Sequence, residues 1–67
     1  MITVRVNGAY KNIPDKTNLY TFLESYGVIG KYVAVSYNGT IIERDQFLNV
    51  VLRRDDELEI VQPVGGG

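Results

Sequence analysis

Cysteine, histidine and tryptophan are all absent from these 67 residues. Without cysteine there is no disulfide, no thiol nucleophile and no thiolate for a soft metal. Without histidine the usual general base for neutral pH is missing. Little equipment for catalysis remains. Charge of one sign is scarce too: seven Lys and Arg stand against eight Asp and Glu, for a formal net charge of −1. The basic pair Arg53-Arg54 runs at once into Asp55-Asp56-Glu57, so no segment builds the positive field that displaces counterions from phosphate. Nucleic acid is not an expected partner. Nor is there a long apolar run. Met1 to Val6 alternate and include Arg5, unlike the core of a signal peptide, and no stretch approaches the roughly 20 residues that cross a bilayer. A cytoplasmic location is the expectation.

What is present suffices for one small domain. Hydrophobic residues make up 45% of the chain and charged residues 22%, too apolar a balance for disorder. A domain of this length buries only about 60% of its unfolded surface, so the core has to be simple and efficient. Ile2, Val4 and Val6 alternate with Thr3 and Arg5 as in a half-buried strand, and Asn7-Gly8 suits a two-residue hairpin turn into a second strand, Ala9 to Ile13. Pro14-Asp15-Lys16 interrupts the pattern. Thr17 or Asn18 can then cap a helix whose Leu19, Phe22, Leu23 and Tyr26 fall at i, i+3, i+4 and i+7, with Gly27 placed to end it.

After a loop at Val28 to Lys31, a strand from Tyr32 to Tyr37 presents Val33 and Val35 on one face, turns at Asn38-Gly39 and returns as Thr40 to Ile42. Glu43 to Phe47 reads as a turn or short helical piece, Val50 to Leu52 as a short strand, and Glu57 to Gln62 as the last strand, with Leu58 and Ile60 inward. Pro63 cannot donate to a ladder and marks where the chain leaves the sheet. The order β-β-α-β-β-β predicts an α+β domain in which a mixed sheet of four to five strands grips one helix. This is the ubiquitin-like, or β-grasp, arrangement, expected over residues 1–64 with a flexible glycine tail at residues 65–67.

The tail is the most pointed feature. At average glycine usage, three glycines at a chosen place arise by chance roughly three times in ten thousand. A segment without Cβ atoms can thread a channel too narrow for side chains, and it leaves the Gly67 carboxylate unhindered for chemistry done by another protein. The bland alternative is a frayed or appended terminus. Other motifs dissolve on inspection. Gly27-Val28-Ile29-Gly30-Lys31 lacks the four-residue spacing and the Ser or Thr of a phosphate loop, since Tyr32 follows the lysine, and its flanks do not suit a nucleic acid clamp. Asn38-Gly39-Thr40 matches a glycosylation acceptor but is better explained as a hairpin turn. Asp55, Asp56, Glu57 and Glu59 lack the intervals and the glycine of a calcium loop and read as a solvated turn. Tyrosines at 10, 20, 26, 32 and 37 follow no base-stacking pattern, so some serve the core or its rim.

With Val33-Ala34-Val35-Ser36-Tyr37-Asn38-Gly39, then Ile41-Ile42-Glu43-Arg44-Asp45-Gln46-Phe47, then Val64-Gly65-Gly66-Gly67, the chain resembles the ThiS family, the sulfur carriers of thiamine biosynthesis, over essentially its whole length. Glu43 stands where the family tends to have proline. Asp55-Asp56-Glu57 stands where it often has Asp-Gly-Asp, which makes Asp56 the residue expected in the left-handed conformation. Pro63 is shared with the related small subunit of molybdopterin synthase, the alternative reading. The resemblance implies a protein co-substrate, not an enzyme, with no cofactor bound and no metal site. An E1-like adenylating enzyme of the ThiF type would use ATP and magnesium to activate Gly67, sulfur would come from a donor such as a cysteine desulfurase, and a thiazole synthase of the ThiG type would receive it. Val64, Gly65 and Gly66 would be the tail that these enzymes recognise, and the free carrier would be a monomer docking through the exposed side of its sheet. The rival classes are a ubiquitin-like modifier joined to lysines and a plain binding domain.

Overall fold

Both Asn-Gly pairs turn the chain back on itself, Asn7 and Gly8 with φ of 49° and 85° and Asn38 and Gly39 with 49° and 88°. Positive φ at both central residues is the type I′ geometry whose twist matches that of paired strands. The computed structural model describes residues 1–28 and 33–62. The first turn joins β1 (Ile2–Val6) to β2 (Ala9–Ile13), and the second joins β3 (Ala34–Tyr37) to β4 (Thr40–Ile42). Between the hairpins lies α1 (Leu19–Tyr26), and after them come a 3-10 helix (Arg44–Asn49) and β5 (Glu57–Val61). The strands form one five-stranded sheet in the order β2-β1-β5-β3-β4, antiparallel except where β5 runs parallel to β1.

Local chemistry sets both ends of α1. Asn18 is its N-cap, with Oδ1 accepting from the Thr21 N–H at 2.8 Å, so the cap falls on Asn18 and not on Thr17. At the other end Gly27 takes φ of 88°, its N–H donating to the Leu23 and Glu24 carbonyls, while the Val28 N–H reaches the Leu23 carbonyl at 3.2 Å. That is a Schellman ending, and the buried pair Val28 and Leu23 supplies its hydrophobic contact. The helix lays Leu19, Phe22 and Leu23 on the sheet, where Val4, Val6, Val35 and Leu58 are at most 1% exposed. Phe47 and Leu52 close the side of the core. Lys11 on β2 places its ammonium 5.7 Å from the Tyr26 ring, and Tyr26 stacks on Phe22, so one tyrosine serves the rim.

Several expectations need correction. The third strand begins at Ala34, with Val33 half-buried just before it and Tyr32 outside the described residues. Val50 to Leu52 form no strand of the sheet. Val51 makes one antiparallel bridge to Asn18, the Leu19 N–H donates to the Val50 carbonyl and the Leu52 N–H to the Thr17 carbonyl, each at 2.8 Å. The segment braces the start of α1, satisfying an N–H that no helix can satisfy internally, while Leu52 enters the core. The last strand ends at Val61, one residue early.

Leu58 lies on the central strand and is fully buried. Leu58→Ala is expected to lower unfolding free energy by about 2 to 5 kcal/mol, read as a lower urea midpoint at unchanged slope. A loss under about 1 kcal/mol would mean that the site collapses around the smaller side chain.

Candidate functional site

The chain reaches the glycine tail through β5, and β5 alternates cleanly. Leu58 and Ile60 point to the core, which leaves Glu57, Glu59 and Val61 on the face that no helix covers. Register places Ser36 beside Glu59 and Ala34 beside Val61, with Ile41 next to Ser36 on β4. Val61 is 59% exposed and Ile41 68%, so an apolar strip flanks the acidic Glu59 near the end of the strand. Towards the start of β5 the Arg5 guanidinium lies 3.4 Å from the Glu57 carboxylate and 5.9 Å from the Tyr10 ring. Both ions are exposed, and such a pair is worth about 0 to 1 kcal/mol.

Asp56 anchors the base of β5. It is 8% exposed, and its carboxylate accepts from the Tyr37 hydroxyl at 2.7 Å, the Arg53 N–H at 2.8 Å and the Asn38 side-chain amide at 3.1 Å. Asn38 in turn accepts from the Glu57 N–H at 2.8 Å, and its own N–H donates to the Glu57 carbonyl at 2.8 Å. The acidic run is therefore not simply a solvated turn. The left-handed residue is Asp55, with φ of 70°, not Asp56, because Asp56 has to turn inward to meet three donors. Burial, and after it the hydrogen bond and charge of Asp56, push the Tyr37 phenol above its usual value, against an opposing pull from Arg53. At the far end of β5 the Asn7 side chain bonds both the N–H and the carbonyl of Ile60, at 2.8 and 3.2 Å. Sequence reasoning treated Asn7 and Asn38 only as turn residues, and no local spacing points to partners so distant along the chain.

Val64, Gly65, Gly66 and Gly67 lie outside the described residues, as do Pro63, Gly30 and Lys31. Gly27 ends a helix, whereas a phosphate loop opens one, so the partial dipole there has the wrong sign for an anion. Asn38-Gly39-Thr40 is the β3–β4 turn and the first residue of β4. Among the described residues no three carboxylates gather as a cation site, and no helix is long and apolar enough to cross a membrane. An open cleft of about 330 Å³ lies at the start of β5 by Arg5, Tyr10 and Glu57, and another of about 370 Å³ lies by Lys16, Arg53 and Arg54. Neither pairs a nucleophile with a base.

The model of the ThiS family matches residues 4–67. The chain belongs to the ThiS family. Its fold is that of the thiamine biosynthesis protein ThiS from Geobacter metallireducens, whose crystal structure superimposes with a TM-score of 0.84 at 28% identity, covering 98% of this chain and all of that one. A solution structure of a thiamine biosynthesis protein from the same organism gives 0.82 at 28% identity, covering 98% of this chain and 88% of that one. The chain is also 34% identical over 64 residues to a thiazole synthase of Magnetococcus marinus; this takes in 96% of the chain but only 20% of that relative, so this ThiS-family chain spans about a fifth of its length.

The Asp56 cluster yields two expectations. Asp56→Ala strands three donors and is expected to cost about 2 to 4 kcal/mol in chemical denaturation; a cost under about 1 kcal/mol would show that water replaces the carboxylate freely. For Tyr37, the folded state holds the phenolic proton more tightly than the unfolded chain does. That contribution is complete below the unfolded value of 10.0 and is lost as pH rises through it and on past the folded value. Melting temperature is therefore expected to fall more steeply above about pH 10 in the unmodified protein than in Tyr37→Phe. Parallel alkaline profiles would refute the assignment.

Proposed function

We propose that this ThiS-family protein carries sulfur for thiazole formation in thiamine biosynthesis, with Gly67 as the residue that bears it. Family membership up to residue 67, joined to a central strand that ends six residues before the last glycine, is the observation that carries the reading. A terminal carboxyl group titrates near 3.3 to 3.7 and is, at neutral pH, a resonance-stabilised anion that nucleophiles do not attack. It has to be activated. An E1-like enzyme of the ThiF type would join the Gly67 carboxylate to the α-phosphate of magnesium-bound ATP, expelling pyrophosphate. The persulfide sulfur of a donor such as a cysteine desulfurase would then displace AMP to give an acyl disulfide, which a thiol would reduce to the thiocarboxylate, itself ending in a disulfide with the donor.

The chain's own part is presentation. Glycines at 65, 66 and 67 would thread the partner's channel, Val64 would sit at its mouth, and the apolar strip of Val61, Ala34 and Ile41 beside Glu59 would bear on the partner's surface. A ThiG-type thiazole synthase would be the sulfur acceptor, a reading favoured by the likeness to the Magnetococcus thiazole synthase. ATP and magnesium belong to the adenylating enzyme, and the cytoplasm, where ATP is at hand, is the setting.

Incubation with the adenylating enzyme, ATP and a sulfur donor is expected to raise the intact mass by the difference between sulfur and oxygen. No gain would overturn the reading, and conjugates with lysines of other proteins would replace it with a modifier. Binding to a large molybdopterin synthase subunit in preference to thiazole synthase would move the carrier to that pathway. Removing Gly67, or adding one residue after it, should abolish the mass gain while leaving the melting temperature within about 4 °C, since a change that removes no packed contact costs under about 0.5 kcal/mol.

A further inference from the structure

β5 ends at Val61, and a residue outside β5 holds that end. On the β1 side, the Arg5 N–H donates to the Asp56 carbonyl and the Asn7 N–H to the Leu58 carbonyl, both at 2.9 Å. In an uninterrupted parallel ladder the next bonds would join the Ile60 N–H to the carbonyl of residue 7, and the Ile60 carbonyl to the N–H of residue 9. β1 cannot supply them, because the chain turns back at Asn7-Gly8 to begin β2. The Asn7 side chain supplies both instead. Its Oδ1 accepts from the Ile60 N–H at 2.8 Å, and its Nδ2 donates to the Ile60 carbonyl at 3.2 Å. The other neighbour, β3, does not serve Ile60. Asn38 and Glu57 form a hydrogen-bonded antiparallel pair, so by alternation Ser36 with Glu59 and Ala34 with Val61 are the next ones, and Ile60 turns its polar groups towards Asn7.

We propose that Asn7 is a positioning residue for the sulfur-loading reaction: by standing in for the ladder partner that β1 does not provide, it fixes the direction in which β5 releases the tail. The assignment rests on the carrier reading above. Without the amide, the end of β5 is held from the β3 side alone, and the direction in which Val61 leaves the sheet is less well fixed. Misplacing a reacting group by about 1 Å can cost on the order of a hundredfold in rate. Gly67 lies seven positions beyond Ile60, so the expected loss is smaller, on the order of tenfold.

Asn7→Gly isolates the effect, because glycine is at ease at φ of 49° and preserves the turn while removing both bonds. Asn7→Asp keeps the turn and the acceptor but loses the donor. The assay is ATP–pyrophosphate exchange by the adenylating enzyme against carrier concentration, paired with amide hydrogen exchange at Ile60. Asn7→Gly is expected to lower kcat on the order of tenfold with KM within roughly twofold, because the docking face is untouched. Asn7→Asp should fall between. The Ile60 amide should exchange faster while Val4 and Leu23 stay unchanged. A purely structural role would lower the melting temperature and leave kcat, measured well below it, at the unmodified value; that result overturns the assignment. If the unmodified protein supports no exchange at all, the carrier reading fails and takes the assignment with it, whereas an active unmodified protein matched by Asn7→Gly refutes the assignment alone.

Discussion

β5 has to fit between two neighbours that run in opposite senses, parallel on the β1 side and antiparallel on the β3 side. A strand arriving from a tight turn can satisfy one register and miss the other, so its point of entry needs to be pinned from both. Asp56 does this by drawing donors from the turn at Arg53, the strand at Tyr37 and the hairpin at Asn38, while the Asp55 N–H reaches the Thr3 carbonyl on the opposite side at 2.8 Å. One buried carboxylate thereby sets the register of the strand that joins the two hairpins into one sheet. Its burial is tolerable only because all three donors are present: a buried carboxylate short of partners costs several kcal/mol.

Stiffness at β5 and bareness around it go together. The side chains that hold the strand, Asp56, Tyr37, Asn38 and Asn7, are either turned inward or spent on backbone groups, which leaves the outer face with small or apolar residues at Ala34, Ser36, Ile41 and Val61. Such a face can be covered by a partner without desolvating an unpaired charge, apart from Glu59. The Arg5–Glu57 pair sits farther back, near the start of the strand, where exposure makes it nearly neutral in energy. An enzyme seated on the forward half of the sheet would meet a rigid surface and need to order little of it, which lowers the entropy lost on association.

Most of the architecture was legible in the sequence because it rests on short-range rules. Two Asn-Gly pairs between alternating runs announce their hairpins, and the i, i+3, i+4, i+7 set from Leu19 to Tyr26, bounded by Asn18 and Gly27, announces the helix. What escaped notice is the part set by contacts far apart in the chain. Val50 to Leu52 look like a strand by composition, yet their backbone partners are Thr17 to Leu19, more than thirty positions earlier, and nothing in a local window distinguishes a brace from a ladder. Asp56 sits in an acidic run, and charge runs are usually solvated, so its inward turn leaves no trace in composition. Of the proposed site only the stem is described. Its glycines are visible in the sequence alone.

The two turn asparagines show how a residue chosen for one local reason acquires a second use. Asparagine tolerates the left-handed conformation, which the first position of each hairpin turn demands, and it also carries one acceptor and two donors on a short side chain. Glycine would satisfy the backbone and offer nothing else; aspartate would offer an acceptor alone. Asn38 spends its amide on the start of β5, accepting from Glu57 and donating to Asp56, and Asn7 spends its own on the end, at Ile60. The turns that close the two hairpins are thus the same residues that grip the strand between them at both ends. A domain this small has few residues to assign separately to turning and to clamping. Combining the two in asparagine lets β5 be held by side-chain hydrogen bonds at both its start and its end.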